Sequence, residues 1–192
     1  MSRSHFGRQP TAARQRGLTL VETMVTLGIT AVLISIAVPS MVSFIARKRV
    51  ANVANELASD LRYLRSVNLQ RSLPTQIEFN ANAAVSCYVI ATDAFLGGLQ
   101  TCNCTLPTPC GGGPAAPVVV RLMSLPVSDG IIVGSNPVKT VFASTGLPVA
   151  GATMQVTVQS SAGGTARVFT NAVGRPFVCS VTDQETNFPA CP

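Results

Sequence analysis

The sequence has no tryptophan, a single histidine and few charged residues, which make up 11% of its 192 positions. That histidine, His5, lies in a basic N-terminal stretch with the composition of a targeting segment, so the rest of the chain lacks the histidine of a Ser–His or Cys–His nucleophile. Gly111, Gly112 and Gly113 are followed by Pro114 instead of lysine, which excludes a P-loop. The acidic residues are scattered, with no pair placed for acid–base catalysis. We therefore expect a protein that is not an enzyme and that binds no cofactor and no metal.

The net charge of +6 is unevenly distributed along the chain. Residues 1–17 carry four arginines and no acid, whereas from position 50 onward seven cations balance seven acids. The globular part is therefore not a basic domain, which argues against strong attraction to nucleic acid. Three further cations, Arg47, Lys48 and Arg49, could grip anionic lipid or nucleic acid, or could be side chains that reach from the end of a membrane segment to its interface. We expect that these three side chains reach from the end of a membrane segment to its interface.

Residues 18–46 form an apolar run in which Glu22 is the only charged side chain. This run exceeds the roughly 20 residues needed to span a bilayer, and a helix satisfies its backbone groups within lipid. An ordinary secretory signal would carry its cleavage site after the run, yet Ser35-Ile36-Ala37 is followed closely by Pro39. We therefore expect 18–46 to remain in the mature protein as a transmembrane helix.

The helix is predicted to continue as an amphipathic segment over 47–72. Apolar residues recur there at spacings of three and four, which places them in one stripe: Val50, Val53, Leu57, Leu61, Leu64 and Val67. The charged residues Glu56, Asp60, Arg62 and Arg65 are expected largely off that stripe. Pro74 ends the helical pattern.

Residues 73–192 are predicted to form an antiparallel β domain. Short segments rich in β-branched residues, separated by turn residues, predict strands at 75–79, 85–92, 118–122, 131–133, 140–143, 153–159, 165–171 and 177–181. Apolar and polar residues alternate strictly over 154–159, as in a half-buried strand, and Ala162-Gly163-Gly164 predicts a hairpin turn after it. Residues 94–117, rich in Gly, Pro and Cys, are predicted to be a surface loop held by disulfides.

All six cysteines lie beyond residue 86, which favours disulfides in an exported, oxidising compartment. Their spacings, C-x-C and C-x5-C, match zinc motifs poorly. Six cysteines allow 15 sets of disulfide pairings. We favour a disulfide between Cys179 and Cys191, which would close the C-terminal tail onto the last strand. The other candidates for disulfides are Cys87, Cys102, Cys104 and Cys110.

The segment Arg16-Gly17-Leu18-Thr19-Leu20-Val21-Glu22, followed by an apolar helix, resembles the prepilin signal of type IV pilins and type II secretion pseudopilins. The resemblance implies a 1–17 leader, cut between Gly17 and Leu18 on the cytoplasmic side by prepilin peptidase, and N-methylation of Leu18, where the family more often has phenylalanine. It also implies the α+β type IV pilin fold, a long N-terminal helix packed on an antiparallel sheet.

In the family that this signal resembles, a glutamate at the position of Glu22 meets the positive N-terminus of a neighbouring subunit during assembly. A carboxylate in mid-membrane costs about 2.5–3.5 kcal/mol on insertion scales, so a partner is expected. The alternative is that Glu22 sits at headgroup level. Pro39 matches a proline near the outer end of pilin membrane segments, where the helix can loosen, and a simple kink is compatible with it.

Two later parts of the chain resemble the GspH/FimT group of minor pilins and pseudopilins. The first is 61–67 with Arg71 and the break at Pro74, and the second is 141–146 together with 165–171 leading into Gly174-Arg175. The resemblance implies a structural subunit of a type IV pilus or a type II secretion pseudopilus, and leaves the two systems open. Implied partners are prepilin peptidase, other pilin or pseudopilin subunits, the inner-membrane assembly platform and the lipid bilayer. The cytoplasmic cut site and the cysteines place the leader in the cytoplasm and the C-terminal domain in the periplasm, with one pass through the inner membrane.

Two other functions stay open at this point. Some FimT-type minor pilins capture DNA through a Gly-Arg-x-Arg patch; Gly174 and Arg175 match it, Phe177 replaces the second arginine, and Arg167 is a further possible contact. The chain could instead be an ordinary anchored β domain without a filament role, but that leaves the Arg16-Gly17 boundary and Glu22 unexplained.

Overall fold

A computed structural model describes residues 19–92, 100–113, 116–149, 153–181 and 188–191. The chain divides into two compact units, Met1–Pro39 and Ser40–Pro192. The predicted leader and both residues of the predicted cut site lie outside the described residues.

The long helix α1 runs over Leu20–Arg71 and includes Pro39. Its end follows from local backbone geometry, since Ser72 adopts a left-handed φ of 53° and its N–H donates to the carbonyl of Asn68 at 2.8 Å. The sequence prediction of a helix that ends before Pro74 is confirmed.

The described part of the second unit contains two four-stranded antiparallel sheets. The strands are β1 Thr75–Ala81, β2 Val85–Thr92, β3 Val118–Pro126, β4 Ile131–Asn136, β5 Lys139–Phe142, β6 Gln155–Ser160, β7 Thr165–Thr170 and β8 Pro176–Ser180. One sheet has the order β3-β2-β1-β5 and the other β4-β6-β7-β8. All eight predicted strands are present, and the predicted hairpin joins β6 to β7 with Gly163 and Gly164 at positive φ.

The sequence did not predict how the strands divide between the two sheets. A 3-10 turn at Val127–Asp129 lets the chain leave the first sheet after β3 and enter the second at β4. The hydroxyl of Ser86 in β2 links the sheets, because it donates to the carbonyl of Val133 in β4 at 3.2 Å and accepts from the Val133 N–H at 3.0 Å.

The core lies between the second half of α1 and the two sheets. All six residues of the predicted helical stripe are buried, as are the inward-facing residues of β6, Val156 and Val158. All of them except Val67 pack with Ile77, Tyr88, Ile90, Met154 and Val168 into one hydrophobic cluster. The expected class, α+β with a long N-terminal helix on antiparallel sheet, is therefore confirmed.

Asp60 is an exception to the prediction for the charged residues of α1, because it is buried. Tyr88 Oη donates to Asp60 Oδ2 at 2.8 Å, and Arg121 Nε donates to the same oxygen at 3.1 Å. Arg121 also bonds Glu56 at 3.0 Å. Burial raises the pKa of Tyr88 above its ordinary value, and the hydrogen bond to Asp60 raises that pKa further. A buried carboxylate is thus satisfied by donors from β2 and β3.

The described part of the Cys-rich loop covers the outer face of the first sheet. The structure pairs Cys87 with Cys104 and Cys102 with Cys110, and these sulfurs pack with Val89 and Ala91 of β2. The loop is also held by the carboxylate of Glu78, which accepts the Cys102 N–H at 2.7 Å. β2 is therefore buried on both faces.

The remaining two cysteines, Cys179 and Cys191, are paired with each other. This is the pair favoured from the sequence. The described tail residues lie against β8, where the Cys191 N–H donates to the carbonyl of Ser180 at 3.1 Å.

Candidate functional site

The start of α1 carries the acidic residue that the sequence singles out. Thr19 Oγ1 accepts the backbone N–H of Glu22 at 3.2 Å, which caps the helix. Thr19 and Glu22 have the spacing of a capping box, and a carboxylate in the first turn is favoured by the helix dipole. Glu22 is exposed, so its carboxylate is available to a group from another molecule.

The first half of α1 presents apolar side chains on all sides. Its large hydrophobic residues from Leu20 to Val38 are between 52% and 71% exposed. Within the described residues, α1 is the one helix long and apolar enough to cross a membrane. A surface of this kind needs lipid or other protein helices to cover it.

Five hydroxyl groups in this half of the helix are satisfied internally. Each donates to a backbone carbonyl three or four residues earlier, at 2.7 to 3.0 Å: Thr23, Thr26, Thr30, Ser35 and Ser43. A hydroxyl that bonds to its own helix needs no water, which suits a lipid environment. Pro39 lies inside the helix and supplies no N–H, so it leaves one position in this stretch without its usual backbone hydrogen bond.

Two of the cationic residues after the apolar run make contacts that the structure defines. Lys48 Nζ sits 5.5 Å from the ring centroid of Phe44 one turn earlier. The β6–β7 hairpin approaches the helix beside Arg47: a Cβ built on Gly164 would lie 3.3 Å from the Cα of Arg47. Glycine at position 164 thus permits close contact between hairpin and helix.

A second surface feature is a cleft of about 300 Å³, here named the arginine cleft, lined by Arg62, Arg65, Arg175, Pro176 and Phe177. Phe177 stacks on Phe169 at a centroid distance of 5.4 Å and is 45% exposed. The structure thus joins the predicted Arg175 to two arginines of α1, whereas Arg167 does not line the cleft. Arg62 and Arg65 were not predicted as site residues, although their spacing of three places them on one helix face.

Two glycines lie next to residues that line this cleft. Gly146 has a φ of 75°, and a Cβ there would lie 2.9 Å from Cγ of Arg65. Gly174 has a φ of 72°, and its Cβ would lie 2.7 Å from the carbonyl oxygen of Gly146. Only glycine therefore suits either position without displacement of its neighbours.

Comparison with known protein families matches residues 12–38 to the prokaryotic N-terminal methylation motif. This range includes Gly17, Leu18 and Glu22. Among solved structures, the type IV minor pilin FimU of Pseudomonas aeruginosa strain PAO1 is similar in two crystal forms. One has 15% identity and a TM-score of 0.46, covering 68% of this chain and 87% of that one. The other has 14% identity and a TM-score of 0.44, covering 66% and 90%. No curated protein matches this chain.

Proposed function

We propose that this type IV pilin-like chain is a minor pilin or minor pseudopilin of the GspH/FimT type, a structural subunit of a pilus or secretion pseudopilus. The observation that carries the proposal is the methylation motif over 12–38, which continues into an uncovered apolar helix with an exposed glutamate in its first turn. The role is polymerisation and involves no reaction by this chain.

Processing by prepilin peptidase is the first step of the proposed role. Cleavage between Gly17 and Leu18 would leave a new amino terminus two residues before the first helical residue, Leu20. N-methylation of Leu18 keeps that terminus basic. The mature chain would then carry a positive group and the Glu22 carboxylate at the same end of one helix.

Assembly follows from the cost of these charges in lipid. A carboxylate within the apolar segment is costly without a partner, and the N-terminus of a neighbouring copy or another subunit supplies one. Pro39 would let the helix adjust as it leaves the bilayer for the filament. The partners are other pilin or pseudopilin subunits and the inner-membrane assembly platform.

The three disulfides support a periplasmic position for the domain, because such bonds persist in oxidising compartments. The chain would then cross the inner membrane once with its leader in the cytoplasm. Residues 18–46 would contact the lipid bilayer before incorporation.

Two substitutions at one position test the assembly step. Glu22→Gln keeps a side chain suited to the capping box but removes the charge, whereas Glu22→Ala removes both. We expect both variants to be processed, as judged by intact mass, and both to be lost from the sheared filament fraction. Glu56→Gln, which removes a carboxylate from the same helix outside the apolar run, should assemble normally. Normal incorporation of Glu22→Gln would show that the carboxylate is not an assembly partner.

A second candidate function, DNA capture in natural transformation, is favoured by the arginine cleft alone. Three guanidinium groups beside an exposed aromatic ring suit phosphate contacts and base stacking. Against it, the domain from position 50 has no net charge and Phe177 replaces the second arginine of the family patch. A gel shift with the detergent-solubilised chain at low salt tests it: a shift lost in Arg175→Ala and kept in Arg71→Ala would support DNA capture. No shift for the wild type would remove this candidate.

A further inference from the structure

A cleft of about 350 Å³ lies where the predicted membrane segment gives way to the amphipathic part of α1, and we name it the exit cleft. One wall is formed by Val42 and Ile45, which belong to the last turns of the segment 18–46. The opposite wall consists of two turns, one after β3 and one between β6 and β7.

The two turns are fixed to each other and held near the helix. The N–H of Ser161 donates to the carbonyl of Gly130 at 3.0 Å, which joins the turns directly. Gly164 brings the β6–β7 turn against α1 at Arg47. The cleft is therefore a built feature of the fold and not a gap between independent loops.

The exit cleft carries one charge of each sign. Arg49 and Asp129 both line it, and neither makes an ion pair within the part of the chain that the structure describes. Ser128, Ser160 and Ser161 add hydroxyl groups on the turn side. Two opposite charges that share a cleft without meeting leave room for a ligand that carries the complementary pair.

We infer that the exit cleft binds the headgroup of a phospholipid with both a phosphate and a primary ammonium, as in phosphatidylethanolamine. Arg49 donates to the phosphate and Asp129 accepts from the ammonium, while acyl chains lie against Val42 and Ile45. Headgroups are found at the depth where an apolar segment ends, which is where this cleft begins. The inference rests on the membrane anchorage in the proposed function.

The composition of the cleft favours this occupant over others. Its formal charges cancel, so a nucleic acid or an acidic peptide would meet Asp129 as a repulsive group. A phospholipid with a phosphate and no cation leaves Asp129 unmatched. A choline headgroup keeps both charges, but its trimethylammonium cannot donate a hydrogen bond to the carboxylate.

Lipid retention by the full processed chain tests the inference. The chain is delipidated in mild detergent, and phosphatidylethanolamine, phosphatidylcholine or phosphatidylglycerol with identical acyl chains is added before native mass spectrometry. We expect phosphatidylethanolamine to be retained roughly tenfold better than either, the factor for one charge-assisted hydrogen bond. Asp129→Asn should remove that preference, whereas Arg49→Gln, which removes the contact to the phosphate that all three lipids share, should lower the retention of all three.

Lys48→Gln is the matched control, because it removes one positive charge at the neighbouring position and Lys48 does not line the cleft. This variant should keep both the retention and the preference, and thermal unfolding should show that all variants are folded. Equal retention of the three lipids by the wild type, or an equal loss in Lys48→Gln, would overturn the inference. A change in self-association of Arg49→Gln without a change in lipid retention would assign the cleft to a second copy and also overturn it.

Flotation with phosphatidylethanolamine vesicles separates the two failures. If the wild type does not float, the membrane anchorage itself fails and the proposed function with it. If the wild type floats and shows no headgroup preference, only the lipid site is lost.

Discussion

The hydroxyl of Tyr88 donates a 2.8 Å hydrogen bond to Oδ2 of Asp60, and both residues are buried. This contact ties β2 to α1 across 28 positions of sequence. It holds the helix to the domain. Among the described acidic residues in the second half of α1, Asp60 is the one that is buried.

Removal of this hydroxyl should destabilise the domain. Tyr88→Phe leaves Asp60 with Arg121 as its remaining side-chain donor, and we expect a loss of about 2 kcal/mol in the free energy of unfolding, as for a hydrogen bond to a charged group. Tyr63→Phe is the control, since Tyr63 is 52% exposed and its substitution should change little. Denaturant unfolding of both variants measures the difference, and equal stabilities would show that the Tyr88 hydroxyl contributes nothing.

The raised pKa of Tyr88 predicts sensitivity to alkali. The unfolded chain loses this proton near pH 10, whereas the folded chain keeps it. Above pH 10 the unfolded state therefore binds fewer protons, and the free energy of unfolding should fall with rising pH, by up to about 1.4 kcal/mol per pH unit from this group. Tyrosinate absorbance should show that Tyr88 ionises only as the protein unfolds. Ionisation of Tyr88 near pH 10 in the folded protein would contradict this.

The C-terminal disulfide predicts a simple result in peptide mapping. Trypsin should release residues 168–192 as one piece containing both Cys179 and Cys191, unlinked to the other cysteines and gaining two hydrogens on reduction. Replacement of both cysteines by alanine should cost about 3 kcal/mol, from the closed loop of 12 residues. A cross-link between this peptide and the one containing Cys87 would contradict the pairing.

The close contact between Gly174 and Gly146 predicts intolerance of any side chain. Gly174→Ala forces a left-handed conformation and places Cβ 2.7 Å from a carbonyl oxygen, so we expect at least about 2 kcal/mol of destabilisation. Gly112→Ala is the matched control, because its Cβ would meet nothing within 4 Å. Similar melting temperatures for the two variants would contradict the contact.

Local patterns in the sequence predict the helix and all eight strands, because periodicity and turn residues are short-range signals. They do not predict that β4 leaves the first sheet, since strand pairing depends on contacts remote in sequence. The burial of Asp60 was not predicted, because the helical stripe is defined by apolar residues. Tyr88, whose hydrogen bond makes the burial of this carboxylate tolerable, lies in β2 and not in the helix. The arginine cleft was missed in part for the same reason: Arg65 meets position 175 only after the sheets form.

The candidate site residues at the N-terminus were predicted in a different way, from a family resemblance and not from local patterns. Gly17, Leu18, Glu22 and Pro39 were identified by resemblance, and the methylation motif covers the first three. Their roles in processing and assembly stay predictions. The structure adds the Thr19 cap and the internal bonding of the hydroxyls, which were not predicted.

The most direct test of the account is the intact mass of the chain extracted from the membranes of its own cells. We predict the mass of residues 18–192 with three disulfides and one added methyl group. A chain that still begins at Met1 while assembled in the envelope would have no positive end for Glu22 to meet, and that result would contradict the account.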